Sequence, residues 1–237
     1  LLLGREGPSI QLGASVGQGV AETFKANRVQ KNVFISSGAG AGLAAAFNAP
    51  IAGLMFVLEE VHHTFSPLVA VTTLTAAIVA NFISLNVFGV HPSLNLGNDQ
   101  RFPMEYYGYV VLLGIILAIF GLAYHRLTLA LPKIYKTLFP KVAPYNYCLI
   151  AFMLIIPLGM WNTHVLGGGG ELVLALVKED HTVQFLVGLF VIRFVYSMIS
   201  YGTGLPGGTF LPILSLGALL GLAYAEFLID FLGVDPS

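Results

Sequence analysis

The residue whose type and position most clearly suggest chemistry is Glu6, which lies between glycines in Gly4-Arg5-Glu6-Gly7-Pro8 and precedes the uncharged stretch 7–21. A charged side chain within a membrane costs at least about 3 kcal/mol, so such residues are functional candidates. Its carboxylate can exchange protons and can also accept the backbone N–H groups of a helix N-terminus. Glu6 is therefore a candidate gate that competes with another anion for those N–H groups. The alternative is an acidic residue that only stabilises a helix N-terminus at a membrane surface.

A related segment occurs 204 positions later, at Gly208-Thr209-Phe210-Leu211-Pro212. When residues 4–14 are aligned with residues 208–218, Gly, Pro, Leu, Gly and Ala coincide. In each copy a glycine is followed by proline and an uncharged stretch, as at a helix N-terminus. Paired broken helices in two halves of a chain are typical of a transporter's binding site. Because helix N-termini present N–H groups and partial positive charge, the repeat predicts an anion site made of backbone amides.

The elements that must position these segments are membrane helices. The chain has 237 residues, of which 56% are hydrophobic and 10% charged, whereas about a quarter of an average soluble domain is charged. Uncharged windows such as 61–98 and 194–225 exceed the roughly 20 residues that span a bilayer, and they lack the alternation of a membrane barrel. The composition predicts an all-α polytopic protein in a lipid bilayer. It excludes a disordered chain, a nucleic-acid binder and an ordinary soluble domain.

Prolines and glycines divide the apolar windows into helices of unequal length. Asn48-Ala49-Pro50 breaks one window, and the windows 7–21 and 181–192 are too short to span a bilayer. Irregular backbone at membrane depth is tolerated where it lines a cavity, so these breaks favour a binding site. The predicted helices cover about 33–47, 50–60, 67–88, 104–131, 145–162, 171–178, 182–199 and 209–230.

Other residues allow more than one interpretation. Glu59 and His63 have the spacing of two metal ligands on a helix, but an acidic helix end at the membrane face is favoured. Arg193 interrupts an apolar stretch, and a structural charge, either paired inside the bundle or snorkelling to the membrane surface, is favoured over an ion ligand. Gly167-Gly168-Gly169-Gly170 is read as a re-entrant turn rather than an anion-binding nest. The single cysteine, Cys148, is expected to be a buried thiol.

The motifs resemble those of the CLC family of chloride channels and chloride/proton antiporters. They are Gly4-Arg5-Glu6-Gly7-Pro8, the run from Gly38 to Pro50 with Glu59-Glu60 beyond it, and Gly208-Thr209-Phe210-Leu211-Pro212. The resemblance covers essentially the whole chain. It implies an inverted-repeat bundle of tilted and broken helices, and a homodimer with one pore per subunit. Residues 1–237 would be part of one membrane domain, with about 1–90 ending the first repeat and about 103–237 beginning the second. Because the sequence opens at Leu1 without Met, we expect the interior of a longer protein.

The resemblance also implies residue roles. Glu6 matches the gating glutamate that exchanges places with anions and takes up protons from outside. The amides of Arg5, Glu6 and Gly7 match an outer anion site, and those of Thr209 and Phe210 match a central one. Glu60 matches the inner proton-transfer glutamate, and Glu59 is its neighbour. Arg5 either adds positive potential at the outer mouth or is a simple surface residue. The serine and tyrosine that contact the central anion in the family lie outside this chain, so chloride and nitrate remain alternatives.

The expected function is exchange of an anion, chloride above all, for protons. It would take place in a multi-pass protein of the cell (plasma or inner) membrane. A passive anion channel is the alternative within the family, and a non-transporting structural subunit is a third hypothesis. Neither cofactor nor metal is expected. An enzyme is not expected either, because dinucleotide-binding, P-loop, zinc-protease and acyl-transfer serine motifs are absent from the sequence.

Overall fold

The computed structural model describes residues 1–89, 104–176 and 181–233. In these ranges the regular elements are helices, and no sheet is formed. The α-helices are α1 (Glu6–Thr23), α2 (Arg28–Phe47), α3 (Pro50–Phe56), α4 (Pro67–Phe88), α5 (Tyr107–Leu138), α6 (Tyr147–Trp161), α7 (Gly170–Leu176), α8 (Val183–Gly202) and α9 (Phe210–Leu232). A π-helical turn, Val57–Val61, follows α3, and single 3₁₀ turns precede α5, α6 and α7.

Five helical stretches of the described chain are long and apolar enough to cross a membrane. The prediction of an all-α polytopic membrane protein is confirmed. Helix α1 is not among these spans, in agreement with the prediction that its uncharged window is too short. The five stretches are Pro67–Phe88, Met104–Leu138, Pro144–Trp161, Val183–Gly202 and Phe210–Phe231.

Several helices extend beyond the predicted limits because the predictions stopped at charged residues. Helix α2 begins at Arg28 rather than near residue 33, since Asn27 and Gln30 form a capping box at its start. Helix α5 continues through Pro132 to Leu138. The first turn of α2 and the last turns of α5 contain charged residues, so a window defined by the absence of charge leaves these turns out. The last residues of the predicted helix 171–178, and the repeat boundaries at about 90 and 103, lie outside the described residues.

The described chain forms two compact units, and the α1–α4 unit comprises Arg5–Ser93 with Pro206–Gly208, as far as these residues are described. Its most closely packed contact is between α1 and α2, where glycine backbone meets glycine backbone. A Cβ added at Gly13 would overlap the carbonyl oxygen of Gly38, and one at Gly38 would overlap that of Gly13. Small residues on α2 therefore allow the two helices to approach closely.

The same unit packs the other side of α2 against α4 through hydroxyl groups. The Ser37 hydroxyl donates to Thr72 Oγ1 at 3.1 Å and lies 3.2 Å from Thr73 Oγ1. Ser37 and Thr73 are both buried. These side chains satisfy one another where no water is available, as buried polar groups must.

The α5–α9 unit comprises Leu1–Gly4, Leu94–Leu205 and Thr209–Ser237, as far as these residues are described. Tyrosine hydroxyls tie its helices together: Tyr135 donates to the carbonyl of Ile199 at 2.7 Å and Tyr196 to that of Ala151 at 3.1 Å. Cys148, expected to be buried, is partly exposed. The buried core consists of Leu2, Val165, Leu172, Leu176, Leu186, Leu189, Tyr196, Leu219 and Ala223.

An apolar cavity of about 480 Å³ lies within the α5–α9 unit. Its lining includes Leu117, Phe120, Phe194 and Leu216, and contains no charged residue. None of the predicted anion-binding residues lines this cavity, and the hydroxyl of Tyr124 in its lining is paired with Ser197 Oγ.

Candidate functional site

The two copies of the sequence repeat start helices at equivalent positions, since α1 begins at Glu6 and α9 at Phe210. The N-cap residues also have similar backbone angles, φ −78° and ψ −12° at Arg5 and φ −93° and ψ −16° at Thr209. Neither N-cap side chain accepts a hydrogen bond from its helix. The repeat seen in the sequence is therefore a repeat of helix N-terminal geometry.

The first main-chain hydrogen bonds of the two helices correspond as well. The Ser9 N–H donates to the carbonyl of Arg5 at 3.1 Å, and the Ile213 N–H donates to that of Thr209 at 3.0 Å. The prolines of the repeat occupy the third helical position of each helix rather than the first. A proline there is tolerated because the first-turn N–H groups have no partner within the helix.

Glu6 is buried, with 7% of its surface exposed. Its side chain lies against Gly208, where an added Cβ would overlap the carboxyl group. A Cβ at Gly7 would come within 3.1 Å of the backbone of Gly207 and Gly208. The first turn of α1 and residues 206–208 thus approach backbone to backbone inside the α1–α4 unit. In the sequence Gly208 marks only the start of the second repeat, and no local signal indicates that Glu6 packs against it.

Arg5 is exposed, and its guanidinium carbon lies 5.7 Å from the centre of the Phe47 ring at the end of α2. A guanidinium at this distance from an aromatic face is attracted to it. The contact is made inside the α1–α4 unit. It holds a positive charge next to the first turn of α1 and beside Glu6 in sequence.

Thr209 and Phe210 belong to the α5–α9 unit and form the start of α9. Thr209 is half-buried and the Phe210 side chain is 54% exposed. The Ser215 hydroxyl donates to the Pro212 carbonyl at 2.9 Å. This bond fixes a carbonyl of the first helical turn, whose amides are the predicted anion donors.

Glu59 and Glu60 lie in the π-helical turn Val57–Val61, and both side chains are exposed. The His62 N–H closes this turn by donating to the Val57 carbonyl at 3.0 Å. The prediction of one helix over 50–60 is therefore wrong in its last turn, because the hydrogen bonds there skip one more residue. The π-turn ends this helical segment, since bends follow it at residues 62–64.

The π-turn also changes the metal-site alternative at Glu59 and His63. Their spacing of four residues places ligands on one face of an α-helix, but Glu59 is in the wider turn and His63 follows it with φ +54°. Across the described ranges, no group of three or more His, Cys, Asp and Glu residues comes together.

Arg193 and the glycine run lie together in the α5–α9 unit. Arg193 is fully buried, which excludes snorkelling to a membrane surface. Gly167 and Gly169 have φ of +73° and +110°. They form the predicted turn between two helical pieces, the 3₁₀ turn Thr163–Val165 and α7.

Comparison with known proteins finds relatives that are named as exchange transporters. The "H(+)/Cl(-) exchange transporter ClcA" of Vibrio parahaemolyticus serotype O3:K6 is 31% identical, covering all of this chain and 52% of the relative. The protein of the same name from Cronobacter sakazakii is 30% identical over 94% of this chain and 49% of the relative. The chain thus spans about half the length of these curated relatives.

A solved structure is also similar to this chain. The crystal structure of a "slow cyanobacterial Cl-/H+ antiporter" superposes on the whole chain with a TM-score of 0.85 and 29% sequence identity, over 56% of the antiporter chain. Together with five apolar helices of membrane-spanning length, these bacterial relatives identify the chain as part of a multi-pass inner-membrane protein.

The family model for voltage gated chloride channels matches residues 1–237. This match covers the whole chain and agrees with the repeated helix starts and the buried glutamate between glycines. The chain belongs to the voltage gated chloride channel family.

Proposed function

We propose that the full-length protein exchanges chloride, or a similar monovalent anion, for protons across the membrane, with Glu6 as gate and outer proton acceptor. The observation that carries this proposal is the burial of the Glu6 carboxyl against the bare backbone of Gly208 at the start of α1. In this proposal the ionised carboxylate competes with chloride for helix N-terminal amides, which suit either anion. Protonation removes the charge of the Glu6 carboxylate, so that it no longer competes with chloride for those amides.

The two helix starts supply the anion sites in this proposal. The amides of Arg5, Glu6 and Gly7 form an outer site, and those of Thr209 and Phe210 form a central one. Support comes from the matching N-cap geometry and from N-cap side chains that do not cap their helices. Such sites need no buried lysine or arginine as ligand, because the partial positive charge of each helix end attracts the anion.

Glu60 is proposed as the inner proton-transfer residue. Its support is its exposure and its place on a π-turn, together with the names of the relatives, which describe proton-coupled chloride exchange. We further propose transport rather than enzymatic catalysis and a homodimeric assembly. We also propose a two-repeat membrane domain, with about 1–90 ending the first repeat and about 103–237 beginning the second.

A proton-flux experiment tests the exchanger directly. Full-length protein in liposomes should move protons against their gradient when a chloride gradient is applied, as followed by external pH. Glu6→Gln should abolish proton movement while chloride efflux persists, because glutamine fills the same space without titrating. Chloride flow without proton movement in the wild-type protein would replace the exchanger by the channel alternative. Absence of both fluxes from folded wild-type protein would support the non-transporting subunit.

A further inference from the structure

Arg193, on α8, is a fully buried cation in the α5–α9 unit. Its Nη1 donates to the carbonyl of His164 at 2.5 Å and approaches that of Leu166 at 3.4 Å, while Nη2 donates to the Ser215 hydroxyl at 3.3 Å. In the described part of the chain its Nε has no hydrogen-bond partner. Among the described residues no salt bridge to the guanidinium is found. Within these ranges its positive charge is met by the neutral acceptors His164, Leu166 and Ser215.

These contacts lead to the first turn of α9. The Ser215 hydroxyl accepts from Arg193 and donates to the Pro212 carbonyl at 2.9 Å. Next to this contact, a Cβ at Gly169 would overlap Ser215 and lie 3.0 Å from Arg193 Nη2. The backbone of Gly169, with φ +110°, therefore closes over the guanidinium as only glycine readily can. Arg193 thus contacts the loop that contains the glycine turn and, through Ser215, the first turn of α9.

The Arg193 guanidinium lies beside α9 at Ser215, close to the beginning of that helix. Ser215 follows Phe210 by five residues, which is about 7.5 Å along a helix axis at 1.5 Å per residue. The effect of a helix dipole falls off within the first turn, so the main cost of this charge is its burial without an ionised partner among the described residues. An anion held at the N-terminal amides of α9 would lower that cost.

We propose that Arg193 is a positioning residue for the anion site at Thr209 and Phe210. It fixes the first turn of α9 through Ser215 and contributes buried positive charge that strengthens anion binding without direct contact. This inference rests on the proposed anion-transport function. Arg193 would contribute to anion binding both through its hydrogen bonds and through its charge, and different substitutions remove each of these.

Chloride titration of the purified full-length protein in detergent, by isothermal calorimetry, tests the proposal. Arg193→Met removes charge and hydrogen bonds and should raise the chloride Kd about tenfold or more. Arg193→Lys keeps the charge and should raise it by a smaller factor, which is rescue by the conservative variant. Ser215→Ala keeps the guanidinium but breaks its link to Pro212, and should raise the Kd by about threefold.

The matched control is Leu189→Ala, which removes a fully buried side chain one turn earlier on α8. It should lower thermal stability and leave the chloride Kd unchanged, because a packing role alone does not attract anions. Folded Arg193→Met protein that binds chloride within twofold of wild type would overturn the proposal. If that variant does not fold, wild-type Kd values for both Arg193→Lys and Ser215→Ala would overturn it instead. A wild-type protein that binds no chloride contradicts the proposed function itself, which is a distinguishable result.

Discussion

At the scale of single residues, the contact between Glu6 and Gly208 makes the sharpest prediction. Gly208→Ala places a methyl group where the Glu6 carboxyl lies, so the carboxyl must leave its buried position. We expect proton-coupled exchange to fall by about tenfold or more while chloride flux through the same protein persists. Parallel measurement of proton and chloride fluxes in liposomes checks this.

The control for Gly208→Ala is Gly221→Ala on α9, where an added Cβ meets no atom within 4 Å. That variant should keep the wild-type ratio of proton to chloride flux. Unchanged coupling in Gly208→Ala would show that the buried position of Glu6 is not needed for exchange.

The neighbouring acids Glu59 and Glu60 offer a matched pair at the same scale. Both are exposed on the π-turn, and only Glu60 is proposed to pass protons. Glu60→Gln should remove proton movement and leave the anion path open, whereas Glu59→Gln should keep coupled flux. If the two results are reversed, Glu59 is the proton-transfer residue; if both variants stay coupled, neither acid belongs to the mechanism.

At the scale of elements, the close contact between α1 and α2 determines which glycine substitutions on α1 the fold tolerates. A Cβ at Gly13 would overlap the carbonyl oxygen of Gly38, whereas one at Gly19 meets no atom within 4 Å. Gly13→Ala should lower the free energy of unfolding by about 1–3 kcal/mol, as overpacking does. Gly19→Ala should be neutral or stabilising by up to about 1 kcal/mol, since alanine favours helix.

Thermal unfolding of the two variants in detergent measures this difference. Equal melting temperatures for Gly13→Ala and Gly19→Ala would mean that the two helices separate without cost. The comparison is well matched, because both glycines lie on α1 and both changes add one methyl group.

Helix existence was predictable because apolar length and proline breaks leave few alternatives within a bilayer. Pro67–Phe88 agrees with prediction at both ends, since proline starts it and glycine follows it. Boundaries at charged turns were missed, as at Arg28. The π-turn after Phe56 was missed because its residues have no composition that distinguishes them from an α-helix.

At the scale of the whole molecule, the repeat was visible in sequence because helix N-termini demand glycine and proline at particular positions. The positions of Glu6 and Arg193 in the folded chain were not visible, because burial depends on residues far away in sequence. Gly208, for example, is 202 positions after Glu6. Since the chain spans about half of its relatives, transport tests require the full-length protein.

The backbone contact between α1 and α2 has a consequence for time as well as for stability. Because glycine backbone meets glycine backbone at this crossing, the helix that carries Glu6 has little freedom to slide. In the proposed mechanism the gate therefore opens by torsion of the Glu6 side chain and not by a collective motion of α1, which would take microseconds to milliseconds. Exposed side chains change rotamer in picoseconds to nanoseconds, and the burial of Glu6 against Gly208 should make its own rotamer change slower than that.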